Sequence, residues 1–177
     1  MRRILVSCAV VGVLALPAAA IARAQGGAGP GYVVVSKAVG NGGVNGSPVV
    51  TVVVRGFVLG RVSQEGDVQI VQLPSVGGRG APQVTPGVSA RKFRWHGRGH
   101  TILIGKEYTG SNFRFRAMGG LYRVVVRGTG VYLFAGGHGH VTVQGSSYQR
   151  KDGTYSVNGS RPRSLPKRPL TRKIRGR

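Results

Sequence analysis

The chain has 177 residues, with 26 Lys and Arg against 4 Asp and Glu, one Cys and a formal net charge of +22. This length fits a single domain, and a hydrophobic content of 41% is enough to form a core, which excludes wholesale disorder. So few carboxylates exclude sites built from carboxylate clusters, such as multi-ligand calcium sites or two-metal phosphatase sites.

The N-terminal segment has the organisation of a secretory signal peptide. Arg2 and Arg3 precede the apolar run Ile4–Leu16, and a small-residue cleavage motif follows. The run is shorter than the roughly 20 residues that span a bilayer, so a membrane anchor is the weaker interpretation. We expect residues 1–24 to be removed together with Cys8, which leaves an exported chain without disulfides and without a transmembrane segment.

Residues 25–31 form a Gly/Ala/Pro-rich lead-in that we expect to be flexible. Short β-branched and aromatic runs follow, mostly bounded by Gly, Asn, Ser or Asp, and none has a helical period. The pattern predicts an all-β domain over residues 32–160, an antiparallel sandwich or barrel-like fold, with a β-solenoid as the main alternative. The predicted strands are Tyr32–Ser36, Pro48–Arg55, Phe57–Val62, Asp67–Leu73, Lys92–His96, His100–Ile104, Phe113–Ala117, Leu121–Arg127, Val131–Phe134, His140–Gln144 and Thr154–Val157.

Two segments within these strands recur at nearly the same offset along the chain. Val52–Gly56 recurs as Val124–Gly128, and Gly66–Ile70 has a counterpart in Gly139–Val143. A duplicated strand-turn-strand unit would produce this pattern and would favour a pseudo-symmetric sandwich. Chance similarity in a chain rich in Val and Gly is the alternative.

The composition changes at the C-terminus. Residues 161–177 are rich in Lys and Arg, contain no acid and include Pro162, Pro166 and Pro169. The prolines exclude a regular helix. The segment is therefore predicted to be a disordered basic tail.

The predicted binding site is a cationic sheet face. Strand alternation puts Phe93 and Trp95 on one face and the neighbouring basic side chains on the other. Phe113–Arg116 repeats this arrangement, and Arg123 and Arg127 share a face of their strand. We expect such a face to bind a polyanion, the alternative being an ordinary half-buried sheet with Arg on its outer side. The expected polyanion-binding residues are Arg94, His96, Arg98, His100, Arg114, Arg116, Arg123, Arg127, Lys167, Arg168, Arg172, Lys173 and Arg175.

A second hypothesis concerns two histidines. A strand would place His138 and His140 on one face, at a spacing that suits metal ligation, and His96 or His100 would complete the site. The protein would then be a His-based metal-binding protein or metalloenzyme, whereas a hairpin with surface histidines is the simpler interpretation. No nucleophile elbow or acid pair in a catalytic setting is present, so we expect no enzyme activity and no cofactor.

The signal peptide, the bias towards Gly, Val and Arg, and the Arg-Gly-x-Gly stretch Arg127–Gly130 resemble secreted Gly/Val/Arg-rich β-proteins of high-GC bacteria. The resemblance carries no functional motif. Together with the charge, the resemblance predicts an exported noncatalytic β module that is secreted or associated with the cell envelope. We expect this module to bind anionic envelope polymers or lipid headgroups, and to bind nucleic acid nonspecifically. A structural surface protein whose charge only aids solubility is a further alternative.

Overall fold

The computed structural model describes residues 30–38, 49–75, 80–97, 101–145 and 153–175. The predicted signal peptide lies outside these residues, as does most of the lead-in, although Gly31 already belongs to the first strand. Within the described residues the secondary structure is entirely β, and no helix that could span a membrane is found there. The strands are β1 Gly31–Ala38, β2 Val49–Leu73, β3 Gln83–Val84, β4 Ser89–His96, β5 Ile102–Gly128, β6 Val131–Gln144, β7 Thr154–Val157, β8 Arg163–Ser164 and β9 Leu170–Ile174.

The strands form one nine-stranded sheet in which every pair is antiparallel. The prediction of an all-β antiparallel domain is confirmed. The sheet is not closed into a barrel, so the barrel-like option is wrong. The antiparallel pairing also differs from the parallel stacking of coils that is usual in a β-solenoid.

β2 and β5 are much longer than the predicted strands. β2 has 25 residues and β5 has 27, and each joins stretches that the sequence predicted as three separate strands. β6 likewise joins two predicted strands. The predicted divisions are wrong because glycines such as Gly56 were interpreted as turns, whereas the chain stays extended through them.

The register shows that β2 reverses its direction within the sheet. Residues 121–127 of β5 pair on one edge with residues 49–55 of β2 and on the other edge with residues 67–73 of the same strand. Both stretches of β2 are antiparallel to β5, so they run in the same direction, and residues 57–62 between them must run back. This middle stretch pairs with residues 113–118 of β5 in a second layer. The sheet therefore folds over itself.

We call the two layers arm 1 and arm 2. Arm 1 contains β4, β9, the second half of β6 and the outer thirds of β2 and β5. Arm 2 contains β1, β3, β7, β8, the first half of β6 and the middle thirds of β2 and β5. Side chains on the facing sides belong to one core, with Val52 and Val124 from arm 1 and Val58 and Phe113 from arm 2, all at most 1% exposed. Burial of this apolar surface holds the arms together.

The first bend between the arms follows a row of glycines. Gly56 of β2 lies opposite Gly120 of β5 on one side and Gly137 of β6 on the other. The φ angle of Gly56 is +151°, which L side chains rarely adopt, and a Cβ on this residue would lie 2.1 Å from the carbonyl oxygen of Gly136. Glycine in this row therefore lets the strands bend and approach one another closely.

The repeated sequence segments are neighbours in arm 1. Val52 pairs with Val124, and the ladder is symmetric about this pair, with Val50 opposite Val126 and Val54 opposite Tyr122. The other two repeated segments flank this centre on opposite sides, one beside β5 and one beside β2. The two-fold symmetry does not extend to these flanking segments in register, because Gly66 lies opposite Gly128 whereas its counterpart Gly139 lies opposite Val54 and not Gly56.

The C-terminal segment is not a disordered tail where the structure describes it, so that prediction is wrong up to Arg175. Arg163–Ser164 pair with β7, and Leu170–Ile174 pair with β6. Leu165 and Ile174 are 0% and 1% exposed, and their burial anchors the segment in the core. The three prolines lie outside the two strands, so they bound these strands and do not prevent them.

Candidate functional site

The predicted binding residues lie on several surfaces and do not form one continuous face. Arg98 and His100 lie outside the described residues. The others are placed as follows: Arg114 and Arg116 on the outer face of arm 2; Arg123, Arg127, His138, His140 and Lys173 on the outer face of arm 1; Arg94 and His96 on the exposed side of β4; and Lys167, Arg168, Arg172 and Arg175 elsewhere on the C-terminal segment.

On the outer face of arm 1, the carboxylates of Asp67 and Glu107 are bonded to arginines. The Nη1 atom of Arg127 lies 3.0 Å from Oδ2 of Asp67, and Nε of Arg91 bonds Oε2 of Glu107, whose Oε1 accepts from Gln69 at 2.7 Å. The bonds from Arg91 and Gln69 lower the pKa of Glu107, whereas burial raises the pKa of Asp67 despite its arginine partner. Arg127, a predicted binding residue, therefore forms an ion pair with a carboxylate of the same chain.

Arg123, another predicted binding residue, packs against Trp95. Its guanidinium carbon lies 5.6 Å from the ring centroid, and burial lowers the pKa of Arg123. Phe93 and Trp95 are half-buried while Arg94 and His96 are exposed, so the alternation predicted for this strand is present. The aromatic side of β4 thus covers arm 1 and does not present free rings.

His138 and His140 are both exposed on the outer face of arm 1, side by side as predicted. Their cross-strand neighbours are cationic, with Arg55 opposite His138 and Lys173 opposite His140, and positive neighbours disfavour a metal cation. Nowhere in the described ranges do three His, Cys, Asp or Glu residues form a group that could hold a metal. His96 lies on β4, at the far edge of the arm, so it does not complete this pair.

The outer face of arm 2 has a different composition. The ladder places its side chains in three rows across β5, β2, β6 and β1, and no carboxylate belongs to these rows. We call this set the arginine-aromatic face: Arg114, Arg61 and Tyr132 in the first row, Arg116, Leu59 and Phe134 in the second, and Met118, Phe57 and Tyr32 in the third.

The arginines of this face are oriented by neutral groups. Nη2 of Arg61 donates to Oδ1 of Asn112 at 2.9 Å, and Nε of Arg116 donates to Oε1 of Gln83 at 2.6 Å. Arg114 lies directly opposite Arg61, where cross-strand Cβ atoms are about 4.5–5.5 Å apart and like charges destabilise the pair. The face therefore keeps its full positive charge, with two cations held close together.

Aromatic and apolar side chains lie beside the arginines. The ring of Phe134 lies between those of Tyr32 and Phe57, at centroid distances of 6.1 and 5.3 Å. Tyr32, Tyr132 and Met118 are 38%, 40% and 50% exposed. Exposed rings next to uncompensated arginines combine stacking surface with positive charge.

A groove of about 360 Å³ borders the arginine side of the face. It lies where β3 pairs with only two residues of β5. The backbone N–H of Arg114 donates to Oγ1 of Thr85 at 3.0 Å and fixes this edge. The lining includes Leu59, Val84, Thr85, Arg114, Phe115 and Arg116, so the groove combines cationic and apolar surface.

Sequence reasoning identified Arg114 and Arg116 and missed the rest of the face. The outward orientation of Phe57, Leu59 and Arg61 could have been found from their alternation with apolar, core-facing residues of the same strand, such as the buried Val58. The aromatic rings of β1 and β6 join the face only through the pairing register.

Comparison of the chain with protein-family models, with curated proteins and with solved structures finds no match. The resemblance to secreted Gly/Val/Arg-rich β-proteins stays a prediction.

Proposed function

We propose that this protein is an exported, noncatalytic module with a sandwich-like arrangement of its arms, and that it binds anionic polymers through the arginine-aromatic face. The observation that carries the proposal is the exposure of Arg61, Arg114 and Arg116 on one face, two of them directly opposite each other, with no carboxylate in the face. A polyanion lying across these residues relieves their mutual repulsion and releases its own counterions.

The ion pairs of arm 1 favour arm 2 as the binding surface. Asp67 and Glu107 each bond an arginine on arm 1. Arg123 is also engaged there, over Trp95. On arm 2, Arg61 and Arg116 donate to neutral amide oxygens, and Arg guanidinium groups match the oxygens of phosphate, sulfate and carboxylate.

We propose that the polymer is anionic material of the cell envelope, met after export. The support for this location is the signal-peptide organisation of residues 1–24, which lie outside the described residues. Mass spectrometry of the exported chain tests the location. An N-terminus at Gln25 is expected, and a secreted chain that still begins at Met1 would contradict it.

The salt dependence of binding tests the face. A labelled single-stranded oligothymidylate serves as the polyanion for the chain Gln25–Arg177, and each phosphate contact on a single strand contributes about 0.7 to the slope of log K against log salt. The triple variant Arg61→Gln, Arg114→Gln, Arg116→Gln should therefore reduce the magnitude of this slope by about 2 and weaken binding.

A matched control removes the same charge from the exposed side of β4 and its partner strand. The changes are Lys92→Gln, Arg94→Gln and Lys106→Gln, at positions that are all exposed. The control should keep a slope close to that of the unmodified chain. Equal losses in the two triple variants would show that binding follows net charge and would overturn the assignment to the arginine-aromatic face.

A further inference from the structure

A separate cationic feature lies at the open edge of the folded sheet. β7 and β8 of arm 2 approach β9 of arm 1 there, and no ladder joins them in the described part of the chain. A cleft of about 320 Å³ lies between them, and its lining includes Tyr155, Val157, Ser160, Arg163, Arg172 and Lys173. We propose that this cleft binds a tetrahedral oxyanion, a phosphate or sulfate group, between the guanidinium groups of Arg163 and Arg172.

Arg172 occupies a position where strand alternation would place an apolar side chain. Leu170 and Ile174, two residues to either side, pack with the core, and Arg172 lies opposite the buried Val141 of β6. Its side chain is nevertheless exposed, because the cleft opens beside this part of β9. The core-facing side of β9 thus presents a cation to the cleft.

Arg163 is placed in the same way on the other arm. It pairs with Tyr155 of β7, which is 6% exposed, and it precedes the fully buried Leu165 by two residues. No carboxylate lines the cleft, and within the described ranges neither Arg163 nor Arg172 has an ion-pair partner. Two arginines from different arms therefore border one cleft without a counter-charge from the described residues, and an anion would supply it.

The other groups at the cleft suit an oxyanion. A guanidinium fork forms two parallel hydrogen bonds to oxyanions, which favours Arg over Lys at such a site. The Ser160 hydroxyl accepts from the backbone N–H of Val157 at 3.1 Å, and its own proton can be donated to a ligand. Tyr155 and Val157 contribute buried, largely apolar surface to the wall of the cleft.

The rim of the cleft is held by Asn158. Its Oδ1 accepts from the backbone N–H of Tyr32 at 3.2 Å, and its Nδ2 donates to the carbonyl oxygen of Lys173 at 3.1 Å. One side chain thus joins β1 of arm 2 to β9 of arm 1. The cleft is preformed, so binding does not need to order its walls first.

The competing explanation is that Arg172 protects an exposed strand edge against pairing with another molecule, as inward-pointing charges do. That role requires only a charge, and Lys serves it as well as Arg. It also predicts no saturable binding of small anions.

The test is calorimetric titration of the chain Gln25–Arg177 with inorganic phosphate, sulfate and pyrophosphate at constant ionic strength. Saturable binding at one site per chain is expected. Arg163→Lys with Arg172→Lys keeps the charge and should weaken binding at least tenfold, and Arg163→Gln with Arg172→Gln should abolish it. Lys92→Gln with Arg94→Gln, on the exposed side of β4, should leave it unchanged.

Absence of saturable binding to the unmodified chain would overturn the proposal, as would equal affinity in the double Lys variant. Preference among the three anions identifies the group: similar affinity for phosphate and sulfate indicates any tetrahedral oxyanion, and tighter binding of pyrophosphate indicates linked phosphates. The double Lys variant should bind oligothymidylate with an unchanged slope. This readout keeps failure of the oxyanion site distinguishable from failure of the arginine-aromatic face.

Discussion

The glycine row that bends the sheet gives a quantitative test of the fold. In Gly56→Ala, the new Cβ would lie 2.1 Å from the carbonyl oxygen of Gly136 and 3.0 Å from Cα of Gly137. Both atoms belong to the backbone of a central strand, so the clash is relieved only if paired strands separate. Overpacking of this kind costs about 1–3 kcal/mol, and Ala at a φ of +151° adds about 1–3 kcal/mol of strain. We expect the free energy of unfolding to fall by about 2–6 kcal/mol.

Two control variants separate these contributions. Gly119 has a φ of +72° with no atom within 4 Å of its added Cβ, so Gly119→Ala should show only the conformational cost, about 1–2 kcal/mol. Gly139 has no such φ, but its Cβ would lie 2.0 Å from the carbonyl oxygen of Val53, so Gly139→Ala should show only the cost of close approach. The loss in Gly56→Ala should approach the sum of the two.

Urea unfolding followed by the fluorescence of the single Trp measures these differences. Trp95 packs against Arg123 on arm 1, so its emission reports the loss of that arm. A Gly56→Ala variant within about 1 kcal/mol of the unmodified chain would refute the close approach of β2 and β6 at the bend. A larger loss in Gly119→Ala than in Gly56→Ala would refute it as well.

Three further predictions concern polar groups that are buried or half-buried. The hydroxyl of the fully buried Tyr122 is hydrogen bonded to the carbonyl of Met118 at 2.9 Å, so Tyr122→Phe should destabilise the fold by about 1–3 kcal/mol in the same assay, and a loss below about 0.5 kcal/mol would contradict the bond. The lowered pKa of Glu107 means that its stabilisation is present at neutral pH and is lost as the pH falls through that pKa. The stability of Glu107→Gln should accordingly decline less between about pH 7 and pH 2 than that of the unmodified chain. The effect of Asp67 on stability is opposite, because its raised pKa costs stability at neutral pH and protonation in acid restores it. The stability of Asp67→Asn should therefore fall more steeply towards low pH than that of the unmodified chain. Parallel pH profiles for all three chains would contradict both assignments.

The positions of β1, β2, β4, β5, β6 and β7 could be predicted from the sequence, but the continuity of β2, β5 and β6 could not, and β3, β8 and β9 were missed. β-branched and aromatic runs identified β7 with its observed bounds and β1 to within two residues at each end. A glycine inside such a run is compatible with a turn or with a bend in a continuing strand. Gly56 proves to be a bend because it lies in register with Gly120 and Gly137, and this pairing depends on contacts that are distant in sequence.

The C-terminal segment shows the limit of composition as a guide. Its charge and prolines predicted disorder, whereas Leu165, Leu170 and Ile174 pack in or against the core and determine its structure. A few buried apolar residues outweigh the average composition when an unpaired strand edge is available to receive them.

The candidate face was predictable only in part for the same reason. Alternation within one strand identified Arg114 and Arg116 as outward-facing. Arg61 and Tyr132 become their neighbours through the ladder of β2 with β5 and β6, and no local pattern fixes that register.

The position of the first third of β2 has a consequence for the order of folding. Residues 49–55 lie between residues 121–127 of β5 and residues 138–144 of β6, so neither neighbour is available until the chain is nearly complete. Pairing over such sequence distances is slow and makes early folding of the N-terminal half unfavourable. A growing chain therefore stays open, with the apolar side of β2 uncovered, until β6 has been made. The uncovered apolar residues of such a chain are exposed to aggregation for the whole of this interval.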